Sequence, residues 1–148
     1  YNPIVDVLYH AIDGDGVFKN EKPWQTSKKH NSVFTLVTPK TLQDLPNTED
    51  IQSVIDEKMN IKKYTSIQEV YGRGAVWNAI RVMEEAPACM IKPPKPEKGG
   101  GSLWDYAATA CMFNELGFQA TGFHGEPLDL NKEEDTFMNH QGVLFCSF

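Results

Sequence analysis

The residues with the clearest chemical potential lie in Ser102-Leu103-Trp104-Asp105-Tyr106-Ala107-Ala108-Thr109-Ala110. Ser102 and Asp105 stand three apart at the head of a helix-forming run. At that spacing an N-cap residue and a carboxylate satisfy the free amides of a helix start. The same carboxylate, behind the run Gly99-Gly100-Gly101, is also placed to ligate a hard cation such as Mg²⁺. One carboxylate does not hold Mg²⁺ alone, so further oxygen ligands must come from elsewhere. A second candidate is Gly72-Arg73-Gly74-Ala75. Two glycines at a helix start let backbone amides and the helix dipole approach an anion, while Arg73 either binds phosphate or faces water.

Other patterns point elsewhere. Asp13-Gly14-Asp15-Gly16 has the alternating acids of a calcium loop, but Val17 breaks the alternation and no glutamate closes the loop, so a hairpin turn is expected. Lys92, Lys95 and Lys98 punctuate a Pro/Gly segment and read either as phosphate partners or as solvated charges. Neither a nucleophile elbow nor a phosphate-binding G-x-x-x-x-G-K-[ST] loop occurs. Cys89, Cys111 and Cys146 are odd in number, far apart and set among apolar neighbours. They read as buried reduced thiols of a cytoplasmic protein. His10, His30, His124 and His140 make no zinc spacing with them.

The elements that must position these residues follow from local pattern. Ile4–Ala11 favours a strand, the Asp13–Gly16 turn reverses it, and Val17–Lys19 returns before a polar turn at Asn20–Lys22. Ser32–Val37 is β-rich, and Pro39 and Pro46 bracket a loop. Ile51, Val54, Ile55 and Met59 then fall on one face of a helix capped at Asn47 or Thr48 and ended at Asn60. Tyr64–Val70 reads as a strand, and Gly72–Gly74 opens a second helix through Met83. Ala88–Ile91 is a buried-type strand running into the Pro/Gly segment. A third helix spans Leu103–Leu116 and stops at Gly117. Gln119–Thr121, Pro127–Leu130 and Val143–Phe148 are extended.

Alternation of strands and helices predicts a layered α/β sandwich with a mixed sheet. The 148 residues suit one domain, residues 1–148. Their net charge of −6, from 14 Lys and Arg against 20 Asp and Glu, argues against a nucleic-acid polymer as partner. No apolar run is long enough for a membrane span.

Taken together, these segments resemble the inositol monophosphatase-like family of Mg²⁺-dependent phosphatases, which includes inositol phosphatases, bisphosphate nucleotidases and fructose bisphosphatases. Trp104-Asp105-Tyr106-Ala107-Ala108, followed by Glu115-Leu116-Gly117, Thr121-Gly122 and Pro127-Leu128-Asp129-Leu130, is similar to its second signature. Gly72-Arg73-Gly74-Ala75 stands where the family has a G-S/T-A-A turn, with Arg73 in place of a small hydroxyl residue. Tyr1-Asn2-Pro3, Tyr9-x-Ala11 and Gly14-x-Gly16-Val17-Phe18 resemble its hairpin.

The resemblance implies that Asp105 is a metal ligand seated by Trp104 and that Gly72, Arg73 and Gly74 face a small phosphorylated substrate. The family's first signature, D-P-[IL]-D-G-[ST], carries most metal ligands and belongs upstream of Tyr1. The chain therefore reads as the carboxy-terminal α/β part of a phosphatase, needing Mg²⁺ only with amino-terminal ligands supplied. A missing amino-terminal domain or self-association is expected to cover an exposed apolar patch. The alternative is a non-catalytic module that binds a phosphorylated ligand or a protein.

Overall fold

Period-two alternation in three short strands determines the architecture, because it sends apolar side chains to both faces of one sheet. The computed structural model describes residues 1–27, 32–38, 48–62, 64–71 and 74–148. In chain order the elements are β1 (Tyr9–Ile12), β2 (Gly16–Lys19), β3 (Lys22–Trp24), β4 (Val33–Thr38), α1 (Thr48–Lys62), β5 (Ser66–Tyr71), α2 (Ala75–Glu84), β6 (Ala88–Lys92), α3 (Leu103–Glu115), β7 (Gln119–Thr121) and β8 (Val143–Cys146). Strands β1-β2-β3 form an antiparallel sheet. The larger sheet runs β5-β4-β6-β8-β7, parallel across β5, β4 and β6 and antiparallel across β6, β8 and β7.

One face of the larger sheet carries Phe34, Leu36, Cys89, Ile91, Leu144 and Cys146, packed with Ile51 and Ile55 of α1. The other carries Val37, Ala88, Met90, Val143 and Phe145, packed with Ala79 and Met83 of α2 and Phe113 of α3. Helix α3 also lies against β1 and β2, and Tyr9 and Val17 enter the same core. The layers therefore run small sheet, α2 with α3, large sheet, α1. This is the layered α/β sandwich with a mixed sheet that the element order predicts.

The structure corrects several local expectations. Ile4 and Val5 are not in a strand. Asn2 and Val7 exchange backbone hydrogen bonds at 2.8 and 3.2 Å, the Ile4 amide donates to Asn2 Oδ1 at 3.0 Å, and a tight turn results. That turn leaves Ile4 90% and Tyr1 70% exposed. The polar turn expected at Asn20–Lys22 is present at Asn20 and Glu21, both with positive φ, and Lys22 already opens β3, an added strand with Pro23 inside it. Helix α1 passes Asn60 and runs to Lys62. In place of a strand at Pro127–Leu130 there is a single bridge from Thr121 to Pro127. The loop between Pro39 and Pro46 lies outside the described residues.

The cysteine reading also changes. Cys89 and Cys146 face each other directly across β6 and β8 and are joined as a fully buried disulfide. They lie 57 positions apart in sequence, and only antiparallel pairing of the two strands brings them together. Cys111 is the free thiol among the described residues, partly exposed on α3. The thiol argument for a cytoplasmic chain thus fails for this pair.

The hairpin is fastened to α2 through Glu84, whose carboxylate accepts from the Tyr9 hydroxyl and from the Lys19 ammonium at 2.9 Å. Burial, reinforced by that bond to Glu84, pushes the Tyr9 phenol up to about 12. Burial by itself would raise the Glu84 carboxyl, but the bonds from Tyr9 and Lys19 outweigh it and hold the pKa below 4.5. A carboxyl with a depressed folded-state pKa contributes stability that is complete above its unfolded value and lost as pH falls through the folded one. The gap in thermal midpoint between the parent and Glu84→Gln, followed by circular dichroism, is therefore expected to close as pH drops below 4.5. A gap constant from neutral to strongly acid pH would remove the ionic role of Glu84.

Candidate functional site

The segment that delivers Asp105 is built on glycine. Gly99, Gly100 and Gly101 all have positive φ, at +119°, +82° and +113°. A Cβ on Gly101 would stand 2.4 Å from the Tyr106 hydroxyl oxygen, so only glycine permits this approach. Ser102 then adopts an extended N-cap conformation and α3 begins. The Ser102 amide donates to Asp105 Oδ2 at 2.8 Å, completing the expected capping box. Asp105 Oδ1 accepts no hydrogen bond among the described residues. At the far end of α3, Gly117 with φ +68° stops the helix as expected, while the Phe118 amide bonds back to the Phe113 carbonyl at 2.8 Å.

Behind Asp105 lies Tyr106, fully buried. Its hydroxyl donates to the Gly100 carbonyl at 2.8 Å and accepts from Lys92 Nζ at 3.0 Å. Burial first, and the Asp105 charge second, push the Tyr106 phenol far above its ordinary pKa, so it stays a donor. Lys92 closes β6. Burial lowers its pKa, the Asp105 charge opposes that, and the Lys95 charge adds to it.

The outer side of the segment is sewn to residues 136–142. Leu103 N–H donates to the Thr136 carbonyl at 2.9 Å, Met138 N–H to Gly101 at 3.0 Å and Lys95 N–H to Asn139 at 2.7 Å. The Asn139 side-chain amide returns a bond to the Lys95 carbonyl at 3.1 Å.

The structure thus places Asp105 as a cap with one oxygen left open. Trp104 beside it is 68% exposed and turned to solvent. Gly74 is the N-cap of α2 and accepts from the Asn78 amide at 3.0 Å, with nothing within 4 Å of where its Cβ would stand. Gly72 and Arg73 lie outside the described residues, so their approach to Asp105 is not part of this geometry.

The Asp13–Gly16 segment is a hairpin turn. Its Gly14 and Gly16 amides donate at 3.0 and 2.9 Å to the carboxylate of Glu115 on the last turn of α3. Sequence reasoning missed this clasp, together with the Lys92–Tyr106–Gly100 chain. In each case the partners sit in different elements, and neither spacing nor composition announces them.

Among the described residues no group of three or more His, Cys, Asp or Glu could hold a metal ion. With Asp105 alone, its Oδ2 engaged by Ser102, these residues do not fit a divalent cation by themselves. None of the described helices is long and apolar enough to cross a membrane.

A helical layer between two sheets, with a lone capped carboxylate behind a glycine turn, defines a layered α/β sandwich. More specifically, the chain belongs to the inositol monophosphatase family, whose sequence profile matches residues 1–144. Solved structures agree in fold. Inositol monophosphatase II from Staphylococcus aureus MSSA476 superposes with a TM-score of 0.67 at 20% identity, over 99% of this chain and 48% of that one. SaIMPase-II with 2'AMP bound gives 0.64 at 22% identity, over 99% and 49%. A dual specific IMPase/NADP phosphatase bound with D-inositol-1-phosphate gives 0.62 at 19% identity, over 99% and 48%. The chain therefore spans about half the length of these neighbours. No curated protein matches it.

Proposed function

We propose that the chain is the carboxy-terminal part, one domain over residues 1–148, of a Mg²⁺-dependent phosphomonoesterase acting on a small inositol, sugar or nucleotide phosphate. The observation that carries this reading is the family match over residues 1–144, with Asp105 in the first turn of α3 and its Oδ1 open. Asp105 is the proposed metal ligand from this chain, and the backbone of Gly72 to Gly74, with Arg73, is the proposed substrate side. The remaining metal ligands come from an amino-terminal half. The ligands of structural neighbours, 2'AMP and D-inositol-1-phosphate, support a small phosphorylated substrate. Exposed Tyr1, Ile4 and Val5 support association with that half or, without it, with a second copy.

Phosphate release measured with Mg²⁺ tests the proposal. The chain alone is expected to be nearly inactive. Mixed with the amino-terminal half of a family member, it should co-elute and release phosphate only when Mg²⁺ is present. Failure of the mixture, together with metal-independent phosphate binding that is lost in Arg73→Ala but kept in Asp105→Ala, would establish the non-catalytic alternative.

A further inference from the structure

The Cys89–Cys146 disulfide lies on the sheet face that α1 covers, and α1 is fastened differently from the other helices. Both cysteines are 0% exposed and share their core with Ile51 and Ile55 of α1. Helix α2 is tied through Glu84 to Tyr9 and Lys19, and α3 through Glu115 to the Gly14 and Gly16 amides. From Glu49 to Asn60 the side-chain bonds of α1 stay within the helix, from Gln52 to Asp56 at 2.8 Å and from Lys58 to Glu57 at 3.3 Å. Its hold on the sheet is apolar, through Ile51 and Ile55 with the partly buried Val54 and Met59. An element held by a few apolar contacts opens locally at lower cost than the whole fold. Lifting α1 uncovers the face that carries the disulfide.

The two strands are also held in register by ties other than the S–S bond. Beside it, the Ser147 amide donates to the Ala88 carbonyl at 2.9 Å. The Ser147 hydroxyl donates to the same carbonyl at 3.2 Å and accepts from the Ala88 amide at 3.0 Å. On the other side the pairing runs from Met90–Phe145 through Ile91–Leu144 to Lys92–Val143. Two thiols released between these ties stay face to face, so closing the bond again is an intramolecular step.

We propose that Cys89–Cys146 is a reversible redox site gated by α1. A thiolate of a small dithiol attacks one sulfur, the S–S bond breaks and a mixed disulfide forms. The second thiolate of the dithiol then displaces the remaining cysteine, which leaves a cyclic disulfide of the reductant. The two protons lost by the dithiol pass through solvent to the two cysteine thiols. A low-molecular-weight disulfide such as oxidised glutathione restores the bond by the reverse exchange and leaves as two thiols. Reduction removes the covalent brace on β6, the strand that runs on toward Asp105. The site stands whether or not the chain is a phosphatase.

The full chain, purified without reductant, tests this. Iodoacetamide labelling in denaturant, read by intact mass, is expected to add one label, at Cys111. After native incubation with dithiothreitol and its removal, it should add three. Reduction should lower the thermal midpoint by about 10 °C, and oxidised glutathione should restore both the midpoint and the single label. Cys111→Ser should keep this response and Cys89→Ala/Cys146→Ala should abolish it, while reduction of the parent is itself a comparison that needs no variant. The gate is read from rates at fixed dithiothreitol. Val54→Ala, on α1, should speed reduction several-fold. Val82→Ala, on α2 and fully buried in the opposite core, should cost more stability yet speed reduction less. Three labels on the parent after oxidised glutathione, or an unchanged midpoint on reduction, would overturn the redox site. A larger acceleration from Val82→Ala would mean that reduction waits for global unfolding, and would remove the gate.

Discussion

Gly142→Ala is expected to cost about 3 kcal/mol or more, a large share of the roughly 5–15 kcal/mol that keeps a domain of this size folded. Two effects combine. The residue sits at φ +63°, where an L-side chain costs about 1–2 kcal/mol. Its Cβ would also stand 2.5 Å from the Lys92 carbonyl oxygen, 2.8 Å from Pro94 N and 3.0 Å from the Pro93 carbonyl carbon. All three are backbone atoms, held by the Lys92–Val143 pairing of β6 with β8 and by two prolines, so no rotamer relieves the contact. Overpacking of that kind adds about 1–3 kcal/mol. Gly117→Ala provides the control. It has nearly the same φ, +68°, yet nothing within 4 Å of its Cβ, so only the conformational cost of about 1–2 kcal/mol should appear. Urea denaturation followed by tryptophan fluorescence separates the two. Equal losses would mean that the β6–β8 junction yields, and that the segment carrying Lys92 is softer than its packing implies.

That junction also shows where sequence reading stops. The features legible in the chain are those closed within a few residues. The Asp13–Gly16 turn, the Ser102–Asp105 cap and the Gly117 stop each depend on neighbours one to four positions away, and each is where the spacing predicts it. The short β-rich or apolar runs Ser32–Val37, Ala88–Ile91 and Val143–Phe148 mark strands for the same reason. Such runs do not say which helix covers which face, so the two cores on opposite sides of one sheet are not legible. Ile4 and Val5 show the converse error. Their β-branched side chains favour a strand, but Asn2 closes a turn on Val7 and leaves them in water, because strand propensity amounts to fit on a half-buried surface that is absent there. Cys89 with Cys146, Glu115 with the Gly14 and Gly16 amides, and Lys92 with Tyr106 are pairs made only by tertiary packing. The site was half-legible in the same sense. Asp105 could be named from its spacing, while the phenol and ammonium behind it are visible only once β6 and α3 lie side by side.

Asp105→Asn is expected to separate the two roles that the sequence left joined. An asparagine side-chain oxygen still accepts from the Ser102 amide, so the cap persists. What is lost is the charge at the helix start, worth about 0.3–1 kcal/mol. Asp105→Ala loses the cap as well and should cost about 1 kcal/mol, within the usual range for removing an N-terminal helix acceptor. Were Asp105 only a cap, activity would follow the same order, with asparagine near the parent and alanine modestly impaired. The phosphatase reading gives a different order. Asparagine is a far weaker ligand for a hard dication than a carboxylate, whose charge and free Oδ1 are the features on offer here. In the reconstituted enzyme both variants should therefore lose Mg²⁺-dependent phosphate release by about a hundredfold or more, beyond the effect of disturbing an outer-shell partner. Raising Mg²⁺ should recover part of the loss, because the defect lies in holding the ion. Thermal midpoint and Mg²⁺ dependence measured on the same two variants decide the matter. If Asp105→Asn keeps both parent stability and parent activity, Asp105 is a cap and nothing more. Stability near the parent with a collapse of metal-dependent turnover identifies a carboxylate that serves helix and metal through different oxygens.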